Sequence, residues 1–194
     1  MEKIRAFIAL ELLPPLQNDL FNLIGRLKRV FPQSIRWVQS KNIHLTLKFL
    51  GDIPHSYLDP LSRGLNSIFD GCPPVPLRFT GLGVFPSSRN PRVFWVGIEN
   101  VSLLEQKVTE IEELSASLKI PSENRSFAPH LTLGRANGDG KFENHMQIDH
   151  LLASVKCDLP DNAYSDRVTV FQSELTRQGP IYTPLARFQL KNQE

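Results

Sequence analysis

Two identical tetrapeptides, each with a histidine and a threonine, are the segments of this sequence most able to do chemistry. They are His44–Leu47 and His130–Leu133, and equivalent residues lie 86 positions apart (130 − 44 = 86). An imidazole can take up or release a proton near neutral pH, and a hydroxyl can donate a hydrogen bond to a phosphoryl oxygen. Two such pairs facing one phosphate would supply a general base, a general acid and two oxygen-binding donors, which suffices for metal-free cleavage of a phosphate ester.

Each tetrapeptide is typical of a β-strand, because polar and apolar residues alternate in it. Side chains at positions i and i+2 of a strand leave the same face, about 6.5–7 Å apart. We therefore expect His44 and Thr46 to share one face, and His130 and Thr132 to do the same, while the leucines enter the core. A single histidine–threonine pair in a strand is most often structural. Its repetition at matching places in two halves of the chain favours a functional role.

The same order of elements is predicted before each tetrapeptide: a strand, then an amphipathic helix, then the motif. The predicted segments are Ile4–Leu10, Pro14–Phe31 and His44–Gly51 in the first half, and Arg92–Ile98, Val101–Leu118 and His130–Leu133 in the second. The spacing from the end of the first strand to the motif is 33 residues (44 − 11) in one half and 31 (130 − 99) in the other. This order predicts an internal duplication with a pseudo-twofold relation between two lobes, within a single bilobal domain over residues 1–194.

The remaining segments give weaker patterns. The predicted elements are a strand over Ile35–Val38, a helix over Tyr57–Phe69, strands over Val75–Phe79, Val155–Leu159, Asp166–Leu175 and Leu185–Leu190, a glycine-containing crossover over Gly81–Pro86, and a loop with a short helix around Phe142–His150.

Composition sets broad limits on function. Of the residues, 41% are hydrophobic and 22% are charged, which is ordinary for a soluble globular protein. The net charge of +2 suits an anionic substrate but is too small to predict a long nucleic-acid footprint. Cys72 and Cys157 are far apart and have no metal-ligand spacing, so we expect a reducing compartment. No apolar run near the N-terminus resembles a signal peptide or membrane span, and we expect a cytoplasmic protein with no membrane partner.

Further segments join the two motifs in a recognisable pattern: Arg5–Ala9, Arg36–Val38, Asn42–Gly51, Gly81–Pro86, Pro91–Gly97, Phe127–Arg135 and Gly179–Tyr182. Together they resemble the two-histidine phosphoesterase superfamily and, within it, the RNA 2′,3′-cyclic phosphodiesterases once called 2′-5′ RNA ligases. The resemblance covers nearly the whole chain. It implies a bilobal α+β fold in which each lobe has an antiparallel sheet with helices outside, and a catalytic cleft between the sheets.

The resemblance also implies a reaction and the residues that carry it. The expected reaction is hydrolysis of an RNA-terminal 2′,3′-cyclic phosphate to a 2′-phosphate. His44 is the implied proton donor and His130 the implied proton acceptor, although the residues alone cannot order two identical motifs. Thr46 and Thr132 would bind the non-bridging oxygens, where negative charge grows in the transition state.

The residues that follow the motifs are harder to place. Arg135 has a planar guanidinium that could clamp a phosphate. Strict alternation puts Arg135 on the leucine face, unless Gly134 marks a bulge that re-aims it, and the alternative is a surface arginine at a strand end. Lys48 is expected on the face of His44, where it would add positive potential, and Phe49 is expected in the core.

Aromatic rings near the motifs could bind a nucleobase. The candidates are Phe7, Trp37, Phe85 and Phe127, although most of them are expected to belong to the core. No histidine, cysteine or carboxylate cluster has metal-ligand spacing, so we expect neither a metal nor another cofactor.

Two other functions are compatible with the same residues. One is formation of a 2′-5′ linkage by the same site run in reverse, and the other is a non-catalytic nucleotide-binding module. A pure binder has no need of two proton-transfer groups, which argues against the second. The expected partners are RNA ends or nucleotides with a 2′,3′-cyclic phosphate, and the protein is expected to be a monomer.

Overall fold

Both motif segments form strands in the computed structural model, and these strands are neighbours in the same sheet. The structure describes residues 3–31, 35–123, 125–137, 145–177 and 179–191. The strands are β1 (Lys3–Glu11), β2 (Ile35–Trp37), β3 (His44–Pro54), β4 (Val75–Pro76), β5 (Phe79–Phe85), β6 (Val93–Ile98), β7 (His130–Ala136), β8 (Tyr164–Ser165), β9 (Arg167–Thr176) and β10 (Gly179–Gln189). The helices are α1 (Pro14–Val30), α2 (Leu58–Phe69), α3 (Ser102–Ser117) and α4 (His145–Ser154).

Eight strands form one sheet in the order β10-β9-β1-β3-β7-β6-β5, with β2 also paired to β7. Every pairing among the described strands is antiparallel. The half-sheet that ends at β3 meets the half-sheet that begins at β7 through the pair Leu45–Leu131. The predicted α+β class with antiparallel strands is confirmed, and the structure adds that the two half-sheets are joined at the motifs.

The sheet has the predicted twofold pattern. β1 lies between β3 and β9, and β6 lies between β7 and β5, so the two strands that precede the motifs occupy equivalent places. α1 follows β1 and α3 follows β6, again in equivalent order. The duplication read from sequence spacing is therefore visible in the topology.

The helices cover the leucine face of the sheet. α1 begins at Pro14 and Pro15, where a missing N–H costs least, and its apolar side chains recur at helical spacing. The buried residues of α1 are Leu16, Leu20, Leu23, Ile24 and Leu27. They join one core cluster with Leu45 and Leu131, both of which are fully buried. Among the described residues, no helix is long and apolar enough to cross a membrane.

The segment Gly81–Pro86 differs from its prediction. Most of it belongs to β5, which pairs with β6, and is not a crossover. A Cβ at Gly83 would come within 2.3 Å of the indole of Trp95, so glycine is needed for close packing within the sheet. Glycine in a strand interior is uncommon, and the sequence pattern therefore predicted a crossover.

Other predicted strands change in extent. Val155–Leu159 is not a strand; its alternating apolar residues pack against the core as an irregular segment after α4. The predicted strand Val75–Phe79 is divided between β4 and the start of β5, and β10 begins at Gly179, well before Leu185. The short helix predicted around Phe142–His150 corresponds to α4, while residues 142–144 lie outside the described residues.

Candidate active site

The two motifs converge on one face of the sheet. Because Leu45 pairs with Leu131 in an antiparallel ladder, the flanking positions bring His44 across from Thr132 and Thr46 across from His130. The leucines point into the core, so the four polar side chains occupy the opposite face. The result is a two-by-two arrangement centred on the leucine pair, in which each imidazole has a hydroxyl on both strands as a neighbour.

Both imidazoles are oriented in the same way. The Nδ1–H of His44 donates to the backbone carbonyl of Asn42 at 2.8 Å, and the Nδ1–H of His130 donates to that of Ala128 at 2.7 Å. A carbonyl oxygen can only accept, so Nδ1 carries the proton in each ring. Nε2 of each neutral imidazole is then the nitrogen with a free lone pair.

The surroundings favour the neutral form of both rings. Burial lowers the pKa of His44 to about 4; the hydrogen bond to Asn42 opposes this shift, and the charges of His130 and Arg135 add to it. Burial, followed by the charge of Arg135, also lowers the pKa of His130, while the bond to Ala128 raises it. At neutral pH both imidazoles are therefore neutral in the free protein. Either ring becomes a proton donor only when a bound anion stabilises its positive charge.

The two threonine hydroxyls are available to a ligand. Thr46 and Thr132 are half-buried, and within the described part of the chain neither hydroxyl has a hydrogen-bond partner. Each could therefore donate to an oxygen of a bound phosphate without first breaking an internal bond.

A bulge after Thr46 changes which side chains face the site. The register between β1 and β3 shifts between Ile8 and Ala9, so Leu47 has no partner across the ladder. A bulge of this kind reverses the alternation beyond it. Lys48 consequently turns to the core face, and Phe49 turns to the site face, where its side chain is 63% exposed.

The predictions for these two residues were therefore wrong. Lys48 is 3% exposed, and its Nζ donates to both carboxylate oxygens of Glu112 at 2.7 Å and to the carbonyl of Pro121 at 3.1 Å. Its charge is neutralised on the helix side and adds no potential to the site. Phe49, expected in the core, lies exposed with its ring centroid 6.2 Å from that of Phe7.

An equivalent bulge occurs in the second motif. The register between β6 and β7 shifts between Phe94 and Trp95, which leaves Leu133 without a partner on β6. Gly134 then faces the core and Arg135 faces the site, as the bulge reading of the sequence allowed. Positions 49 and 135 are again 86 apart, so Phe49 and Arg135 occupy equivalent places in the two halves.

The position of Arg135 is also visible in its effect on neighbouring groups. Its positive charge lowers the pKa of His44 and of His130. It also opposes the rise that burial causes in the pKa of Tyr182, a residue of β10. Arg135 therefore lies close to both imidazoles and to Tyr182, which belongs to the half-sheet that ends at β3.

The aromatic rings around the two histidines differ. Phe7 stacks on His44 at 4.7 Å between ring centroids, and Tyr182 approaches the same imidazole edge-on at 5.3 Å. Phe85 approaches His130 edge-on at 5.0 Å. Of the four aromatic residues singled out from the sequence, Phe7 and Phe85 thus contact the imidazoles, whereas Trp37 and Phe127 pack against the core.

Sequence reasoning missed Phe49 and Tyr182 as site residues. A signal for Phe49 was present, because it follows His44 by five residues as Arg135 follows His130. No comparable spacing marks Tyr182, which reaches the site through the pairing of β10 with β9. The described residues contain no group of three or more histidine, cysteine or carboxylate side chains that could hold a metal ion.

Comparisons with known proteins place the chain in a family. The family LigT like Phosphoesterase matches residues 10–95. A protein named RNA 2′,3′-cyclic phosphodiesterase from Methanothermobacter thermautotrophicus is 30% identical over 97% of this chain and 100% of its own. One of the same name from Thermotoga maritima is 30% identical over 96% of both chains. The crystal structure of LigT of E. coli complexed with 3′-AMP has 27% identity and a TM-score of 0.75, covering 97% of this chain and 99% of that one.

Proposed function

The chain belongs to the RNA 2′,3′-cyclic phosphodiesterase family of LigT-like phosphoesterases, and from this premise we propose that it hydrolyses the 2′,3′-cyclic phosphate of an RNA end to a 2′-phosphate without a metal. The observation that carries the proposal is the two-by-two arrangement of His44, Thr46, His130 and Thr132 about the Leu45–Leu131 pair. It offers two proton-transfer groups and two hydroxyl donors to one phosphate group.

The reaction needs one imidazole of each protonation state. Nε2 of neutral His130 takes a proton from water as the water oxygen bonds to phosphorus, and Nε2 of protonated His44 gives a proton to O3′ as the P–O3′ bond breaks. The 2′-ester is retained, so the product is a 2′-phosphate. The assignment of donor and acceptor follows the family resemblance, and the common Nδ1–carbonyl bond makes either ring able to act through Nε2.

The bound phosphate itself promotes protonation of His44, the proposed general acid. With a pKa of about 4 in the free protein, His44 is neutral at pH 7. A phosphodiester carries one negative charge, and an adjacent anion favours the protonated imidazole. The proton donor is therefore formed in the complex with substrate.

Four other side chains bind the phosphate charge and the nucleobase. The hydroxyls of Thr46 and Thr132 donate to the non-bridging oxygens, and the guanidinium of Arg135 adds a fixed positive charge. The exposed ring of Phe49 provides a stacking surface for a nucleobase, an interaction worth about 1–3 kcal/mol and tolerant of base identity.

The test is product analysis on a short RNA with a cyclic end, in the presence of EDTA. Phosphorus NMR should show conversion of the ring to a 2′-monophosphate. His44→Ala and His130→Ala should each abolish turnover, while His55→Ala, which changes an exposed histidine outside the site, should not. An intact ring after long incubation would favour a binding module, a joined product with a 5′-hydroxyl RNA would favour ligation, and restoration only by a divalent ion would refute metal independence.

A further inference from the structure

Two arginines lie directly across from one another beside the site. Arg36 of β2 pairs with Arg135 of β7, which places their Cα atoms about 4.5–5.5 Å apart. Both residues are exposed. This pair is the next pair on the same face of β7 after His44 and Thr132. It extends the sheet face that carries the polar side chains of the two motifs.

The faces of β2 show that Arg36 points toward the site. Ile35 is buried and Trp37 packs against the core, so Arg36 between them leaves the opposite face, which it shares with Arg135. A Cβ at Gly134 would come within 2.6 Å of Ile35 and 2.9 Å of Trp37. Glycine at this position therefore allows β2 to lie close against β7, with Arg36 and Arg135 at facing positions of the ladder.

This pairing is costly unless an anion is bound. Like charges directly opposite each other on neighbouring strands destabilise a sheet. Across the ranges that the structure describes, neither Arg36 nor Arg135 forms an ion pair with a carboxylate. Each guanidinium carries a planar fork of N–H donors that matches phosphate oxygens, so two arginines at facing positions could bind one phosphate together.

We propose that Arg36, together with Arg135, binds the phosphodiester that joins the terminal nucleotide to the nucleotide before it. This inference rests on the proposed function and names its substrate class: an RNA end with at least one internal phosphate is preferred to a cyclic mononucleotide. Arg135 lies between the reacting phosphate and this second phosphate, and Arg36 contacts the second one only.

The experiment compares two substrates, 2′,3′-cyclic AMP and the dinucleotide ApA with a 2′,3′-cyclic end. Arg36→Ala should lower the ratio of kcat/KM for the dinucleotide to kcat/KM for the mononucleotide about tenfold or more, as expected for loss of one charge-assisted hydrogen bond. Arg63→Ala, which changes an exposed arginine of α2, is the matched control and should leave the ratio as it is.

A neutral linkage tests the role of charge. Replacing the internal phosphodiester by a methylphosphonate should reduce the wild-type ratio to that of Arg36→Ala, and should have little further effect in the variant. The slope of log(kcat/KM) against log salt concentration should become shallower by about 0.7 in Arg36→Ala on the dinucleotide. Equal losses on both substrates, or no loss on either, would overturn the proposal.

Binding of the product separates this proposal from the proposed function. Calorimetric titration with the dinucleotide that ends in a 2′-phosphate does not depend on turnover. If the wild type hydrolyses neither substrate, the proposed function fails, and the inference is then decided by whether Arg36→Ala weakens this binding about tenfold. Equal affinity of the wild type and the variant would refute it.

Discussion

Leu45 lies directly across from Leu131, and each leucine stands between the histidine and the threonine of its own motif. This pair is both the junction of the two half-sheets and the centre of the pseudo-twofold arrangement. The core thus fixes the spacing of the four polar side chains. Paired strands hold the site, so their register determines which side chains face the phosphate.

The pH dependence of kcat/KM should reflect the lowered pKa values of the two histidines. The reactive form has one proton on the pair of imidazoles, and the pKa values of both His44 and His130 are lowered from 6.5 in the free protein. We expect kcat/KM, which reports the free enzyme, to be bell-shaped with its maximum between about pH 4 and 6.5, and to fall as the pH rises through 7. The maximum of kcat should lie at higher pH, because bound phosphate favours protonation. A maximum of kcat/KM above pH 7 would contradict this reading.

Removal of the threonine hydroxyls should slow the reaction with little change in fold. Thr46→Val and Thr132→Val keep the shape of the side chain and remove the donor to the phosphate. Each should reduce kcat by about 10²–10³, as for loss of an oxyanion-hole donor. Thr109→Val, on the exposed face of α3, serves as the control and should retain full activity. Full activity in both site variants would exclude hydroxyl binding of the non-bridging oxygens.

The ring of Phe49 should act on binding. Phe49→Ala is expected to raise KM about tenfold, from the loss of base stacking, and to leave kcat nearly unchanged. Phe21→Ala is a close control, since Phe21 is 65% exposed on α1 and Phe49 is 63% exposed. Steady-state kinetics on the cyclic dinucleotide provide the measurement. A fall in kcat at constant KM would assign Phe49 to the reacting centre instead.

Gly134→Ala should reduce the free energy of unfolding and also the preference for the cyclic dinucleotide over the cyclic mononucleotide. The added methyl would meet Ile35 and Trp37, so β2 must move away from β7. We expect a loss of about 1–3 kcal/mol in the free energy of unfolding, the usual cost of overpacking, measured by denaturant titration. Gly25→Ala in α1 has open space around the new methyl and should instead stabilise by about 0.5–1 kcal/mol. If Gly134→Ala were as stable as the wild type, the close packing of β2 would not depend on glycine.

Much of the site could be predicted from the sequence because its information is local. Alternation within His44–Leu47 and His130–Leu133 gives the strand and its two faces, and the repetition gives the pseudo-twofold relation of the halves. The fold class followed from the same spacing and from the family resemblance. The catalytic roles of the four polar residues stay predictions until variants are assayed.

The positions after the motifs could not be read from alternation. The bulges at Leu47 and Leu133 arise from pairing with β1 and β6, strands that are distant in the sequence. Strict alternation without the bulge put Lys48 on the site face and Phe49 in the core, which is the reverse of their positions in the structure. The correct placement of Arg135 depended on treating Gly134 as a bulge signal, and no glycine gives that signal in the first half.

The equivalent positions of Phe49 and Arg135 give the cleft a polarity. Proton transfer by twin imidazoles is symmetrical, so a cleft with matching flanks would accept a ring in two opposite orientations and release a mixture of regioisomers. An aromatic ring on one flank and a cation on the other distinguish the two ends of a nucleotide. In the proposed reaction, we expect this divergence of duplicated positions to contribute to the choice of which ester bond breaks.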